Sequence, residues 1–107
     1  MANSQHSEIL KLNTLVEYQP GTIVSRQISK ADGGNVTLFA FDAGQELSEH
    51  TTPFDALVHL LDGEAEIKIS GISFHLLSGD AILMPANQPH AVKAIKKFKM
   101  LLTMIKP

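Results

Sequence analysis

No cysteine occurs among the 107 residues, which excludes disulfides, thiolate metal ligands and a cysteine nucleophile and agrees with a reducing compartment. Tryptophan is absent and tyrosine occurs once. An excess of one charge is also lacking. Nine Lys and Arg stand against eleven Asp and Glu, for a net charge of −2. With both signs scattered, there is no electrostatic footprint for nucleic acid or an anionic membrane surface. The one local excess is the basic run Lys93–Lys99 (K-A-I-K-K-F-K), which reads as the solvated edge of a late turn and strand. Apolar runs are too short and too interrupted to span a bilayer. The polar start M-A-N-S-Q-H-S-E lacks the apolar centre of a secretory signal, so a cytoplasmic location is the expectation. There is no Gly-rich phosphate loop, no Ser-His-Asp arrangement and no carboxylate pair spaced for acid–base work.

What is present is an ordinary globular composition, 44% hydrophobic and 19% charged, and a length that suits one domain. Residues 1–8 read as a flexible N-terminus carrying His6, and residues 9–107 as a single barrel domain. Ile9–Tyr18 has apolar residues at 9, 10, 12, 15 and 16, which suits a short helix or an irregular arm ended by Pro20-Gly21. From Thr22 onward, strands alternate with turn signals. N-V-T-L-F-A-F-D places Val36, Leu38 and Ala40 on one face and Thr37, Phe39 and Phe41 on the other. Asp62-Gly63 and Ser70-Gly71 both read as two-residue hairpin turns. Eight or nine short strands on this spacing predict an all-β fold, and a jelly roll suits the length. Leu57–Leu61 and Met100–Ile105 are apolar on both faces, so both faces are covered. One would line the barrel and the other would meet the N-terminal segment or a second subunit, with a homodimer the more economical choice.

Two segments carry the chemistry. The first, Gly44–Gly63, reads G-Q-E-L-S-E-H-T-T-P-F-D-A-L-V-H-L-L-D-G, and the second, Gly79–Ala94, reads G-D-A-I-L-M-P-A-N-Q-P-H-A-V-K-A. Their spacing resembles the two motifs of the cupin superfamily, specifically its small conserved-barrel (RmlC-like) members. Gly44, His50 and Gly63 keep the first motif, with Thr52 in place of its second His and Ala56 in place of its Glu. Gly79, Pro85 and His90 keep the second, with Asn87 in place of a Gly and Ala94 in place of an Asn. The resemblance covers about residues 34–106 and implies a double-stranded β-helix, a jelly-roll barrel preceded by a short arm or helix. Asn87 takes a left-handed conformation nearly as well as the Gly it replaces, so the departures spare the scaffold and fall on the chemistry.

In metal-binding cupins those four side chains converge on a divalent ion. Carried over by position, this chain keeps His50 and His90 as candidate ligands for Fe, Mn, Ni, Cu or Zn, without the second His and the Glu. A hydroxyl is a poor ligand for these ions and an alanine is none. Asp55 is a further candidate ligand only through a bulge after Pro53, because regular alternation points it away from the Ala56 face. His59 has the same outward parity, His75 reads as a surface strand residue, and Asp42 and Asp80 read as turn caps. The site residues expected are therefore His50, Thr52, Ala56, Met84 and His90, with Met84 as core filler or part of an apolar mouth. Three functions follow: a small-molecule-binding barrel, a metal-dependent dioxygenase or isomerase, and a sensory or interaction module with a vestigial pocket. The first suits a mostly apolar barrel with few convergent polar groups. The residues themselves leave open whether a reaction is catalysed.

Overall fold

The structure, a computed structural model, describes residues 7–107; the expected flexibility of residues 1–6, His6 included, lies outside the described residues. The arm from Ser7 onward is irregular apart from a single 3-10 turn at Leu12–Thr14. Nine strands follow: β1 (Ile23–Ala31), β2 (Gly34–Phe41), β3 (Glu46–His50), β4 (Asp55–Asp62), β5 (Glu64–Ile69), β6 (Ile72–Leu77), β7 (Ala81–Met84), β8 (His90–Ala94) and β9 (Phe98–Ile105). They form a five-stranded sheet, β1-β2-β9-β4-β7, facing a four-stranded sheet, β3-β8-β5-β6, and every pairing is antiparallel. This is the jelly roll that strand count and turn spacing imply.

Alternation decides what each face buries. Along β2, Phe39 and Phe41 point into the barrel while Leu38 and Ala40 point outward. Inside, Phe41 stacks on Phe98 with ring centroids 4.4 Å apart, and Val58, Leu60, Ile67 and Met100 close around them. Each such side chain contributes roughly 1.5–3 kcal/mol through removal from water. Outside, Leu38 and Ala40 are completely buried, because Val16 lies on them and Leu12, Leu15 and Tyr18 pack around it. The outer faces of Leu61 and Leu101 belong to the same cluster. Over that region the chain's own arm supplies the cover that the doubly apolar strands require. Leu57, Leu83 and Ile105, further along the outer face, remain exposed.

Two sequence expectations need correction. Ser70-Gly71 is a hairpin turn, with φ of 49° and 83° as a type I′ turn demands, but Asp62-Gly63 is not. Both edges of β4 are occupied by β7 and β9, so β5 cannot pair with it and the chain crosses to the other sheet. Gly63 makes that corner at φ +86°, where an added Cβ would sit 1.9 Å from the Lys97 carbonyl oxygen, so no other residue fits. The basic run is only partly solvated. Lys99 is 7% exposed, its Nζ donating to the Asn13 carbonyl at 2.5 Å and lying 4.9 Å from the Tyr18 ring centroid. It fastens the arm.

Candidate functional site

The site is assembled at one end of the barrel by two short connections. Residues 51–54 lead from β3 into β4, and Pro85–Pro89 lead from β7 into β8. They are tied together where the Asn87 N–H donates to the Thr52 carbonyl at 2.8 Å and the Ala86 N–H donates to Asp55 Oδ1 at 2.9 Å. Asn87 adopts φ +65°, the left-handed conformation expected of the glycine it replaces. The β5–β6 turn joins the same rim through Ser70, whose N–H donates to the Pro89 carbonyl and whose hydroxyl donates to Gln88 Oε1.

This scaffold brings two of the expected residues into contact. His50 ends β3, His90 begins β8, and the two are cross-strand partners. Their rings meet edge to face with centroids 4.3 Å apart. His90 is 4% exposed and shares the inward face of β8 with Val92 and Ala94, whereas His50 is exposed. Each Nδ1 lies against the carbonyl two residues earlier: His50 on Ser48 at 2.9 Å, His90 on Gln88 at 3.2 Å. A carbonyl only accepts, so each Nδ1 carries a proton, and the neutral ring presents its lone pair at Nε2. Burial holds the His90 pKa below its ordinary value, and the neighbouring His50 adds to that; the bond to the Gln88 carbonyl opposes them. His90 is thus a neutral acceptor at pH 7, with no protein partner for Nε2 among the described residues.

The other three expected residues lie on other elements. Ala56 and Met84 are cross-strand neighbours on β4 and β7, buried at 1% and 3% exposure, and Met104 flanks Ala56 on its other side. The position of the absent carboxylate is therefore a small side chain between two thioethers. Thr52 does not share a strand face with His50, because β3 stops at His50 after a register shift that follows Leu47. Its hydroxyl instead accepts the Phe54 N–H at 3.3 Å. Asp55 is committed to Ala86, and among the described residues no three of His, Cys, Asp and Glu gather where a metal ion would fit. Two imidazoles with neither a third donor nor a carboxylate do not match a divalent-ion site in an apolar barrel. Among the described residues, two grooves lie away from this mouth. One of about 360 Å³ crosses the outer face of β3, β5 and β8, and one of about 440 Å³ lies between the arm and β1; neither is lined by these five residues.

His59 faces outward on β4 and His75 is exposed on β6, bonded to Glu64. Asp42 accepts the Gly21 and Ala43 N–H groups, which hold its carboxyl below the usual range, and Asp80 accepts the Leu77 N–H. The residues that sequence reasoning missed are Ser48 and Gln88, whose carbonyls fix the imidazole tautomers. Contacts made by backbone atoms leave no trace in side-chain identity.

A family model described as "Cupin domain" matches residues 37–106. Among solved structures, a conserved protein of unknown function from Streptococcus pyogenes is 37% identical, with a TM-score of 0.90 over 99% of this chain and 93% of its own. A cupin superfamily protein from Desulfitobacterium hafniense is 28% identical, with a TM-score of 0.89 over 99% of this chain and 97% of its own. A Cupin 2 conserved barrel domain protein from Leptotrichia buccalis is 40% identical, with a TM-score of 0.88 over 91% of this chain. The match spans about half of that protein's length, 47%. No curated protein matches the sequence.

Proposed function

This chain belongs to the cupin-domain family, and from that premise we propose that it binds a small organic ligand at the barrel mouth beside His50, Thr52 and His90. The observation that carries the reading is the buried, neutral His90 ring, whose Nε2 lone pair faces no protein donor while His50 lies against it. A buried acceptor left without a partner costs free energy, on the order of 1–3 kcal/mol, which a ligand donor recovers. The matching ligand carries a hydroxyl, enol or carboxylic acid proton on an apolar body, since the walls offered by Ala56 and Met84 are apolar. It enters from the exposed His50 side.

The metal-dependent reading has weaker support, because the third donor and the carboxylate are missing from the mouth. No reaction step is assigned to these residues. The proposal includes a homodimer, supported by the large apolar side chains left exposed in two places, Leu57, Leu83 and Ile105 beyond the arm and Ile72, Phe74 and Leu77 in β6.

Ligand-observed NMR with a panel of phenols, enols and carboxylic acids tests the binding reading. Binders to the unmutated protein are expected to lose their signal broadening with His90→Ala and to weaken with His50→Ala. Binding that is indifferent to both substitutions, or no binder at millimolar concentration, would place the function elsewhere.

A further inference from the structure

The edge of a β-sheet offers a row of unpaired N–H and C=O groups to any extended chain, and soluble proteins guard such edges with charges, bulges, prolines or short strands. Among the described residues this barrel has four edges: β1 and β7 on one sheet, β3 and β6 on the other. Three are guarded. β1 has a bulge between Gln27 and Ser29 and carries Arg26 and Lys30. β3 has a register shift between Leu47 and His50 and carries Glu46 and Glu49. β7 is only four residues long and runs into Pro85, which has no N–H.

β6 has none of these devices. Its sequence, I-S-F-H-L-L, contains no proline, lysine, arginine or carboxylate, and its six residues pair with β5 without a register shift. Its one titratable group, His75, is held by Glu64 of its own sheet. Ile72, Phe74 and Leu77 are 61%, 38% and 52% exposed. Among the described residues, Ile72–Leu76 have no backbone partner beyond the β5 ladder.

We propose that β6 pairs antiparallel with β6 of a second copy about a two-fold axis at Phe74, joining two four-stranded sheets into one continuous sheet. A two-fold normal to the sheet keeps inward residues beside inward residues. Phe74 then meets its own image, Ile72 lies beside Leu76 of the second copy, and Ser73 lies beside His75. The pairing is self-complementary: aromatic on aromatic, aliphatic on aliphatic, and no like charges opposed. A net charge of −2 leaves little repulsion between copies. Self-complementarity favours a second copy over a foreign peptide strand. The inference rests on the homodimer within the proposed function and is independent of any ligand.

Sedimentation velocity of the full chain over a range of concentrations tests it, with Ile72→Lys, Phe74→Lys and Leu83→Lys compared. The dimer is expected in the unmutated protein and in Leu83→Lys, and is expected to weaken roughly tenfold or more in both β6 variants, because each puts a charge into the paired edge. Hydrogen exchange on the unmutated protein adds a readout that needs no variant to fold: β6 amides gain protection as concentration rises. A monomer at every concentration would remove the homodimer itself. A dimer that survives both β6 substitutions but fails in Leu83→Lys, or β6 amides indifferent to concentration, would leave the homodimer standing and overturn this surface.

Discussion

His90 is buried 4.3 Å (ring to ring) from a second imidazole, and its pKa is held below the ordinary 6.5 by burial first and by His50 second. The consequence for stability has a definite sign. Well above pH 6.5 the ring is neutral in both folded and unfolded chains, and its contribution is fully present. As pH falls through 6.5 and on toward the lower folded value, the unfolded chain takes a proton that the folded one resists, so stability is lost. Thermal melts from pH 7.5 to 5 should show this acid loss, and His90→Gln should flatten it; an unchanged slope would mean that His90 is not the group responsible. The neighbouring positions test why metal chemistry is weakly supported. Thr52→His with Ala56→Glu restores the four-donor pattern of the family, and stoichiometric manganese or iron by elemental analysis is the expected gain. Ala56 is 1% exposed, so without metal the new carboxylate should destabilise the fold by several kcal/mol, and metal should restore the melting temperature by mass action. No metal uptake would show that the scaffold, as well as the side chains, has left that chemistry. The His50–His90 partnership was legible in the sequence because the glycines and prolines around both motifs survive. The place of Thr52 was not, because alternation by itself puts Thr52 on the His50 face and nothing local marks His50 as the end of β3.

The arm is the element whose role depends most on a few contacts. Tyr18 donates its hydroxyl to Asp62 at 2.5 Å, and Lys97 and Lys99 each lie 4.9 Å from its ring centroid. Burial, the hydrogen bond to Asp62 and that carboxylate's charge together push the Tyr18 phenol well above its ordinary value of 10. Tyr18 is the one tyrosine in a chain without tryptophan, so its phenolate absorbance can be titrated without interference. Ionisation is expected well above pH 10, and Asp62→Asn should move it part of the way back, because burial, the largest cause, remains. Tyr18→Phe should cost about 1 kcal/mol and lower the melting point by about 4–8 °C. A phenol that titrates near 10 would mean that the arm is not docked through this residue. At this scale the sequence was legible wherever local pattern decides the outcome. The Ser70-Gly71 hairpin and the inward and outward faces of β2 are read from adjacent residues. The Asp62-Gly63 corner looks the same locally, and only the occupation of both β4 edges distinguishes it.

For the whole molecule, the five-stranded sheet lies between two apolar layers: the barrel interior on one side and the arm on the other. The doubly apolar character of β4 and β9 expresses that layering, and it could not say whether the second layer comes from this chain or from another. Over Leu38, Ala40, Leu61 and Leu101 it comes from this chain. The arm is therefore part of the fold's stability. Val16 is 3% exposed, and Leu12, Leu15 and Tyr18 are partly buried around it. At roughly 1.5–3 kcal/mol for a fully buried side chain, the group is comparable with the 5–15 kcal/mol by which a typical domain is stable. Deleting the chain through Tyr18 also bares the outer faces of Leu38 and Ala40, an apolar strip of the kind that drives association. The shortened protein is expected to aggregate or to lose its cooperative melt by circular dichroism. A soluble deletion variant that melts cooperatively within a few degrees of the full chain would show that the inner core alone holds the barrel, with the outer leucines tolerating water.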